Sequence, residues 1–213
     1  MRNWLKRVDK TKLQFFFFVF VLTFVLITLV VVATIDNQSE TPVVDETPND
    51  NIEEPVVIET EEQFVLPLNA SLDYKVCRKF YDKNASKENQ ELGLIKYGTT
   101  YRTSDGTGYS LKDNTTFDVV AVLSGKVVEV KENPLLGTYC VLEHDNGIKT
   151  YYYGLSESSV KVGDMVEQGS KVGTSGTTEL DSEAGNYVFL KITKNDKKVN
   201  PETVIGKKPS ELE

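Results

Sequence analysis

Among 213 residues there is one histidine, His144, and there are two cysteines, Cys77 and Cys140. That inventory bounds the chemistry. A protein zinc site takes three or four Cys, His or carboxylate ligands, and a catalytic one keeps a position open for water. Cys140 and His144 stand an even number of residues apart along one apolar run, which places both side chains on one face of a strand. Asp105 is the carboxylate that would join them, and no further ligand is identifiable. A disulfide between Cys77 and Cys140 stays open, with two separate small apolar side chains as the plainer reading. His144 itself opens His144-Asp145-Asn146-Gly147, a hairpin-turn signal, so it is expected at a solvent-facing turn.

The elements that must position these residues are short apolar runs punctuated by glycine. All 14 glycines fall at or after Gly93, so the turn-rich globular part is C-terminal. Phe117 to Lys131 reads as two β-branched strands broken at Ser124-Gly125, Tyr139 to Leu142 as a third, and Ile148 to Leu155 as the strand returning from the His144 turn. Very short strands are expected around Gly163-Asp164 and Gln168-Gly169. Tyr74 to Tyr81 alternates like a strand, Ser86 caps a short helix over 87–92, and Tyr97 to Arg102 is extended.

The net charge of −8 is unevenly spread. Residues 1–35 carry +4, residues 36–63 carry ten carboxylates and no basic residue, and the remainder is near neutral at −2. A near-neutral globular part lacks the dense basic surface that nucleic-acid binding requires. Residues 13–35 are 23 residues without a charge, about what a bilayer core of ~30 Å demands. The expectation is a basic cytoplasmic tip (1–12), one transmembrane helix (13–35), an acidic disordered stalk (36–71), an extracytoplasmic domain (72–205) and a flexible tail (206–213). A cleaved signal peptide is the competing reading of the apolar segment, and its length argues against it.

Two folds are written in strands and glycines of this kind. A lipoyl or biotinyl carrier would need a modifiable lysine at a hairpin tip between specific neighbours, and no such tripeptide occurs. Three other patterns are present in order: Val119-x-Ala121-x-x-x-Gly125-x-Val127, His144-x-x-Gly147-x-x-Thr150-x-Tyr152 and Val160-x-x-Gly163-Asp164-x-Val166-x-x-Gly169. With these the chain resembles the LytM/lysostaphin-type zinc endopeptidases. Phe80 to Glu91, Thr99 to Arg102 and Phe117 to Val127, together with the tip, anchor and stalk, further resemble the stage II sporulation protein Q family.

The resemblance implies a mainly β, LytM-like (duplicated hybrid motif) antiparallel sandwich or barrel. It also implies where catalytic groups would stand. The family holds zinc with two histidines and an aspartate, and its first motif, His-x-x-x-Asp, falls on Ser104 and Gly108; a register two residues later offers Gly106 and Ser110. The isolated catalytic histidine falls on Gly154, and the closing His-x-His on Tyr187 and Phe189. None of these is a ligand. The expectation is a degenerate peptidase domain with no catalytic residue, no metal and no cofactor. The family further implies a forespore-membrane protein that binds a mother-cell partner of the stage III sporulation protein AH type during engulfment. Residues Tyr139, Val141, Glu143, Lys149, Tyr151 and Tyr153 are the candidates for that contact, by strand addition. In Tyr151-Tyr152-Tyr153 the outer two are expected in the core and the middle one outside. The alternative is a non-hydrolytic peptidoglycan binder lined by Tyr109, Tyr187 and Phe189.

Overall fold

The computed structural model describes residues 61–212. The chain divides into two units, Met1–Val56 and Val57–Glu213, and the described residues belong to the second. The expected cytoplasmic tip, transmembrane helix and most of the acidic stalk lie outside the described residues. Among the described residues no helix is long and apolar enough to cross a membrane.

Alternating apolar residues dictate strands, and twelve form among the described residues. They are β1 (Tyr74–Arg78), β2 (Leu94–Tyr97), β3 (Thr100–Thr103), β4 (Thr107–Leu111), β5 (Asp118–Val120), β6 (Gly125–Asn133), β7 (Gly137–Glu143), β8 (Ile148–Ser158), β9 (Met165–Val166), β10 (Lys171–Ser175), β11 (Val188–Lys194) and β12 (Lys197–Val199). Helix α1 (Lys87–Leu92) begins where Ser86 accepts from the Asn89 N–H, as the cap signal requires. Helix α2 (Pro201–Val204) starts at Asn200, with proline in the first turn where its missing N–H costs nothing.

Ten strands join one antiparallel sheet in the order β1-β4-β11-β8-β7-β6-β9, with β10 between β5 and β8 and β12 beside β11; β2 and β3 form a separate ribbon. The 11-residue β8 is the strand that links the two arms of this sheet. Its first half pairs with β11 and its last residues with β10, while β7 covers the other edge. Strands that a sandwich would divide are thereby held in one hydrogen-bonded network.

The period of two fixes what each face carries. In β8, Ile148, Thr150 and Tyr152 are fully buried, and in β7 so are Cys140 and Leu142. Lys149, Tyr151 and Tyr153 therefore point to the other face. The tyrosine expectation is thus reversed: the middle ring is the core one, and its hydroxyl accepts from the Val122 N–H at 2.9 Å. The alternation was legible, but its phase is set by the neighbouring Ile148 and Thr150, not by the tyrosines.

The stalk and tail boundaries also shift. Phe64 and Leu68 are 1% and 2% exposed and belong to the core. The Phe64 N–H donates to Lys207 O at 2.9 Å and its carbonyl accepts from Gly206 N–H at 2.7 Å. Leu212 is buried in the same core, and Glu61 binds the N–H and hydroxyl of Ser210. Residues 61–71 and 206–212 are thus packed against each other and against the domain. The acidic run continues to Glu62, which hides that the apolar residues directly after it have a core to enter.

Candidate functional site

The positions at which the resemblance places catalytic groups do converge. Gly108 and Phe189 are directly paired across β4 and β11. Tyr187 lies beside Gly108, and Gly154, with φ of +79°, sits against the Tyr187 carbonyl. Ser104 donates its hydroxyl to Gly106 O at 2.8 Å, next to the Phe189 ring.

What occupies that place is a packed cluster. Tyr187 and Phe189 are 3% and 8% exposed and join Ile95, with Cys77, Tyr153 and Leu180 against them. A side chain at Gly108 would begin 2.9 Å from Arg78 Cβ and 3.1 Å from Cys77 Sγ. Arg78 in turn grips Asp181 through Nε and Nη2, both at 2.8 Å, and donates from Nη1 to Leu94 O. The Tyr187 hydroxyl is hydrogen-bonded to Thr178 Oγ1 at 2.8 Å. In the shifted register, Gly106 abuts the Leu190 carbonyl and Ser110 is buried at 1% exposure. A zinc ion needs at least three donor groups directed at an open centre. These residues do not fit one: the ligand positions are glycine, serine and aromatic rings, and the space between them is filled. Among the described residues no group of three or more His, Cys, Asp or Glu is placed to hold a metal.

The alternative trio does not assemble. Cys140 faces the core, and burial pushes its thiol up to about 12. Asp105 lies on the other face, bound to Lys191 at 2.9 Å and Lys198 at 3.3 Å. Burial works against its charge, but the bonds and attraction of the two lysines outweigh that and hold its carboxyl below the ordinary range. The two cysteines are free thiols.

His144 is half-buried, not solvent-facing. Asn146 and Gly147 take the positive φ values expected of the turn, 60° and 69°, and this folds the imidazole back onto the sheet. Nδ1 lies 2.8 Å from Ser124 O and Nε2 2.7 Å from Thr150 Oγ1. A carbonyl only accepts, so Nδ1 carries the proton. Burial holds the His144 pKa below its usual value, against opposing pulls from the Ser124 bond, Glu62, Asp145 and Glu143. Ser124 also binds Glu62 through its N–H and hydroxyl. His144 is thus a packing residue near the point where the chain enters the domain.

The six candidate contact residues lie on one face of β7 and β8. Val141 pairs with Tyr151 and Glu143 with Lys149, whose charged groups are 3.3 Å apart. Tyr151 and Tyr153 stack with centroids 6.1 Å apart, Tyr139 stands 5.1 Å from Tyr153, and Lys191 Nζ lies 5.3 Å over Tyr151. The Tyr139 hydroxyl donates to Glu129 at 2.9 Å. Strand addition at these segments is ruled out, however. β7 is held between β6 and β8, and β8 between β7 and the β11–β10 edge, so their main-chain groups are already paired. Sheet order is decided by contacts distant in sequence, which is why an interior strand and an edge strand read alike. Sequence reasoning also missed Arg78 and Asp181, 103 residues apart, whose pairing no local pattern announces.

Comparison with known proteins agrees with this geometry. Residues 102–201 match Peptidase family M23. Stage II sporulation protein Q of Bacillus subtilis (strain 168) is 38% identical over 152 residues, covering 71% of this chain and 54% of that protein, so the chain spans about half the length of this relative. The structure is similar to that of the SpoIIQ-SpoIIIAH pore forming complex, with a TM-score of 0.69 and 38% identity over 71% of this chain and 96% of that one. A zinc containing peptidase from Vibrio cholerae is similar at a TM-score of 0.52 and 25% identity, over 66% of this chain and 40% of that one. The glycine, serine and aromatic positions described above are therefore those of a domain whose similar structures include a zinc peptidase, and the chain belongs to the stage II sporulation protein Q family, built on an M23 domain.

Proposed function

We propose that this chain is a non-catalytic scaffold that works by holding a protein partner of the stage III sporulation protein AH type. Its domain would project from the forespore membrane, held by the apolar segment 13–35 with the amino terminus in the cytoplasm, and meet the partner across the intermembrane space. The observation that carries this reading is the filled M23 centre. Tyr187 and Phe189 stand at two of the family's ligand positions in a buried cluster, and Arg78, paired with Asp181, abuts a third at Gly108. A hydrolase without an electrophile has no means of polarising a peptide carbonyl. Two of the solved relatives are complexes of SpoIIQ with SpoIIIAH, which supports the same kind of partner for this chain.

The contact is proposed to use the outer face of β7 and β8, through Tyr139, Glu143, Lys149, Tyr151 and Tyr153; Val141 shares that face but is 3% exposed and closed to a partner. Half-buried tyrosines held by neighbours are good anchors, because their rings are large and already ordered. The peptidoglycan alternative loses its groove, since Tyr109, Tyr187 and Phe189 are 2%, 3% and 8% exposed.

Two measurements test the proposal. With the full chain as bait for a partner ectodomain, Tyr151→Ala combined with Tyr153→Ala is expected to weaken capture by roughly tenfold or more, as for central aromatic anchors. Undiminished capture would move the contact elsewhere. Restoring the family's residues together, as Ser104→His, Gly108→Asp, Tyr187→His and Phe189→His, is expected to give no stoichiometric zinc by metal analysis, because Arg78 and Cys77 stand where the aspartate would begin. One tightly held zinc per chain with cell-wall hydrolysis would show that the centre had merely lost its ligands.

A further inference from the structure

The outer edge of β6 is open over most of its length. Among the described residues, β9 pairs only with Gly125 and Lys126. Val127 donates to Asp164 O and accepts from the Gly163 N–H, both at 2.9 Å. Beyond it the strand pairs with β7 alone, through Asn133. An unpaired edge of this length is a template for another strand; charged side chains and bulges are the usual defences against it, and here a bulge falls between Val127 and Glu129, at one end of the open stretch.

Here the charges are arranged differently. The edge reads Val128-Glu129-Val130-Lys131-Glu132, and this pattern complements its own reverse in two registers, about Val130 and about the midpoint of Lys131 and Glu132, of which only the first pairs all five residues. Glu129 and Lys131 are bonded to each other within the strand, and antiparallel pairing centred on Val130 adds Lys131 of a second copy opposite Glu129, and its Glu129 opposite Lys131, with no like charges opposed. Centring on Glu129 or Lys131 opposes like charges directly, and centring between Val130 and Lys131 opposes Glu129 with Glu132 twice. Unlike cross-strand pairs stabilise a sheet and like pairs destabilise it.

A second observation falls at the ends of the same edge. Val162 and Met165, 61% and 76% exposed, lie beside Val127 and Lys126, and Leu135, 39% exposed, follows Asn133 at the opposite end. In the Val130-centred register the two-fold axis brings the Val162 and Met165 end of one copy to the Leu135 end of the other. Three of the large apolar side chains the domain leaves in water are then covered by the contact that the main chain and the charges favour.

We propose that β6 pairs with β6 of a second copy of this chain, antiparallel about Val130, by virtue of an open main-chain edge with self-complementary charges and exposed apolar residues at matching ends. The pairing uses the sheet's edge, whereas the proposed partner contact uses its face, so either can fail alone. Five residues per copy make a small interface, so the dimer is weak in dilute solution and depends on local concentration.

The test uses the full chain expressed in cells and oxidised in its own membranes. Val130→Cys is expected to give a reducible dimer on electrophoresis, well above the background from Cys77 and the buried Cys140. Lys126→Cys, beside β9, is expected to give none above that background. In the Val130→Cys chain, Lys131→Glu should lower the crosslinked fraction by roughly threefold or more, since two opposed pairs become like-charged, and adding Glu129→Lys should restore it. Partner capture by the same variants is read in parallel, because Glu129 also holds the Tyr139 hydroxyl. As a check free of substitutions, backbone amide exchange at residues 128–132 of the unaltered chain should slow as its concentration rises. Crosslinking at Val130 no greater than background, or a charge swap that fails to restore it, overturns the proposal, as does amide exchange independent of concentration.

Discussion

Asp181→Ala is expected to destabilise the folded domain by about 3–5 kcal/mol, the cost of leaving a buried guanidinium without its counter-charge. Arg78 and Asp181 are 8% and 1% exposed, and their two parallel hydrogen bonds tie β1 to the segment before β11. Arg78 also donates to Leu94 O, so the same side chain fastens the β2–β3 ribbon. Loss of the carboxylate should therefore loosen three elements at once and lower the denaturant midpoint. Paired replacement by Arg78→Met with Asp181→Leu should recover much of the loss, since an apolar pair of similar volume needs no counter-charge. Chemical denaturation followed by far-ultraviolet circular dichroism measures both. A cost below about 1 kcal/mol for Asp181→Ala would mean that water reaches Arg78, because an exposed ion pair is worth no more than that.

Phe64→Ala should cost roughly 3–5 kcal/mol, the range for deleting a fully buried aromatic ring. The expected boundary at residue 72 places Phe64 in a disordered stalk, where the substitution would cost nothing. In the structure its ring is in the core and its backbone bonds to Gly206 and Lys207. Leu72→Ala, at a position 37% exposed, is the matched control and should change stability by about 0.5 kcal/mol or less. Equal small effects at both positions would restore the boundary at residue 72. A chain shortened to begin at residue 72 should be as damaged as Phe64→Ala or more so, because it lacks Leu68 as well.

Much of the sheet was legible because its signals are local. Asn146-Gly147 announced a positive-φ turn, Ser86 announced a helix start, and Gly125 marked the break between β5 and β6. That one histidine cannot meet the several the LytM motifs call for was legible for the same reason, since folding does not change a residue count. The ribbon of β2 and β3 was seen only as extended chain. The six contact candidates came out on one face because residues two apart in a strand must share it. Their expected mode failed because an edge is a property of the sheet and not of the strand.

Composition and order of residues were enough to determine three things: a β domain with M23 patterning, a single histidine where the LytM motifs call for several, and the division between an acidic run and a near-neutral domain. Each is a matter of residue type or of spacing over a few positions. Tertiary structure alone decided that Arg78 and Asp181 pair beside Gly108, that Phe64 and Leu212 close the core from the two ends of the domain, and that β6 rather than β7 or β8 carries an open edge. Those outcomes depend on which distant segments meet, and the free energy that selects among such meetings comes from burial and hydrogen bonding summed over the whole sheet.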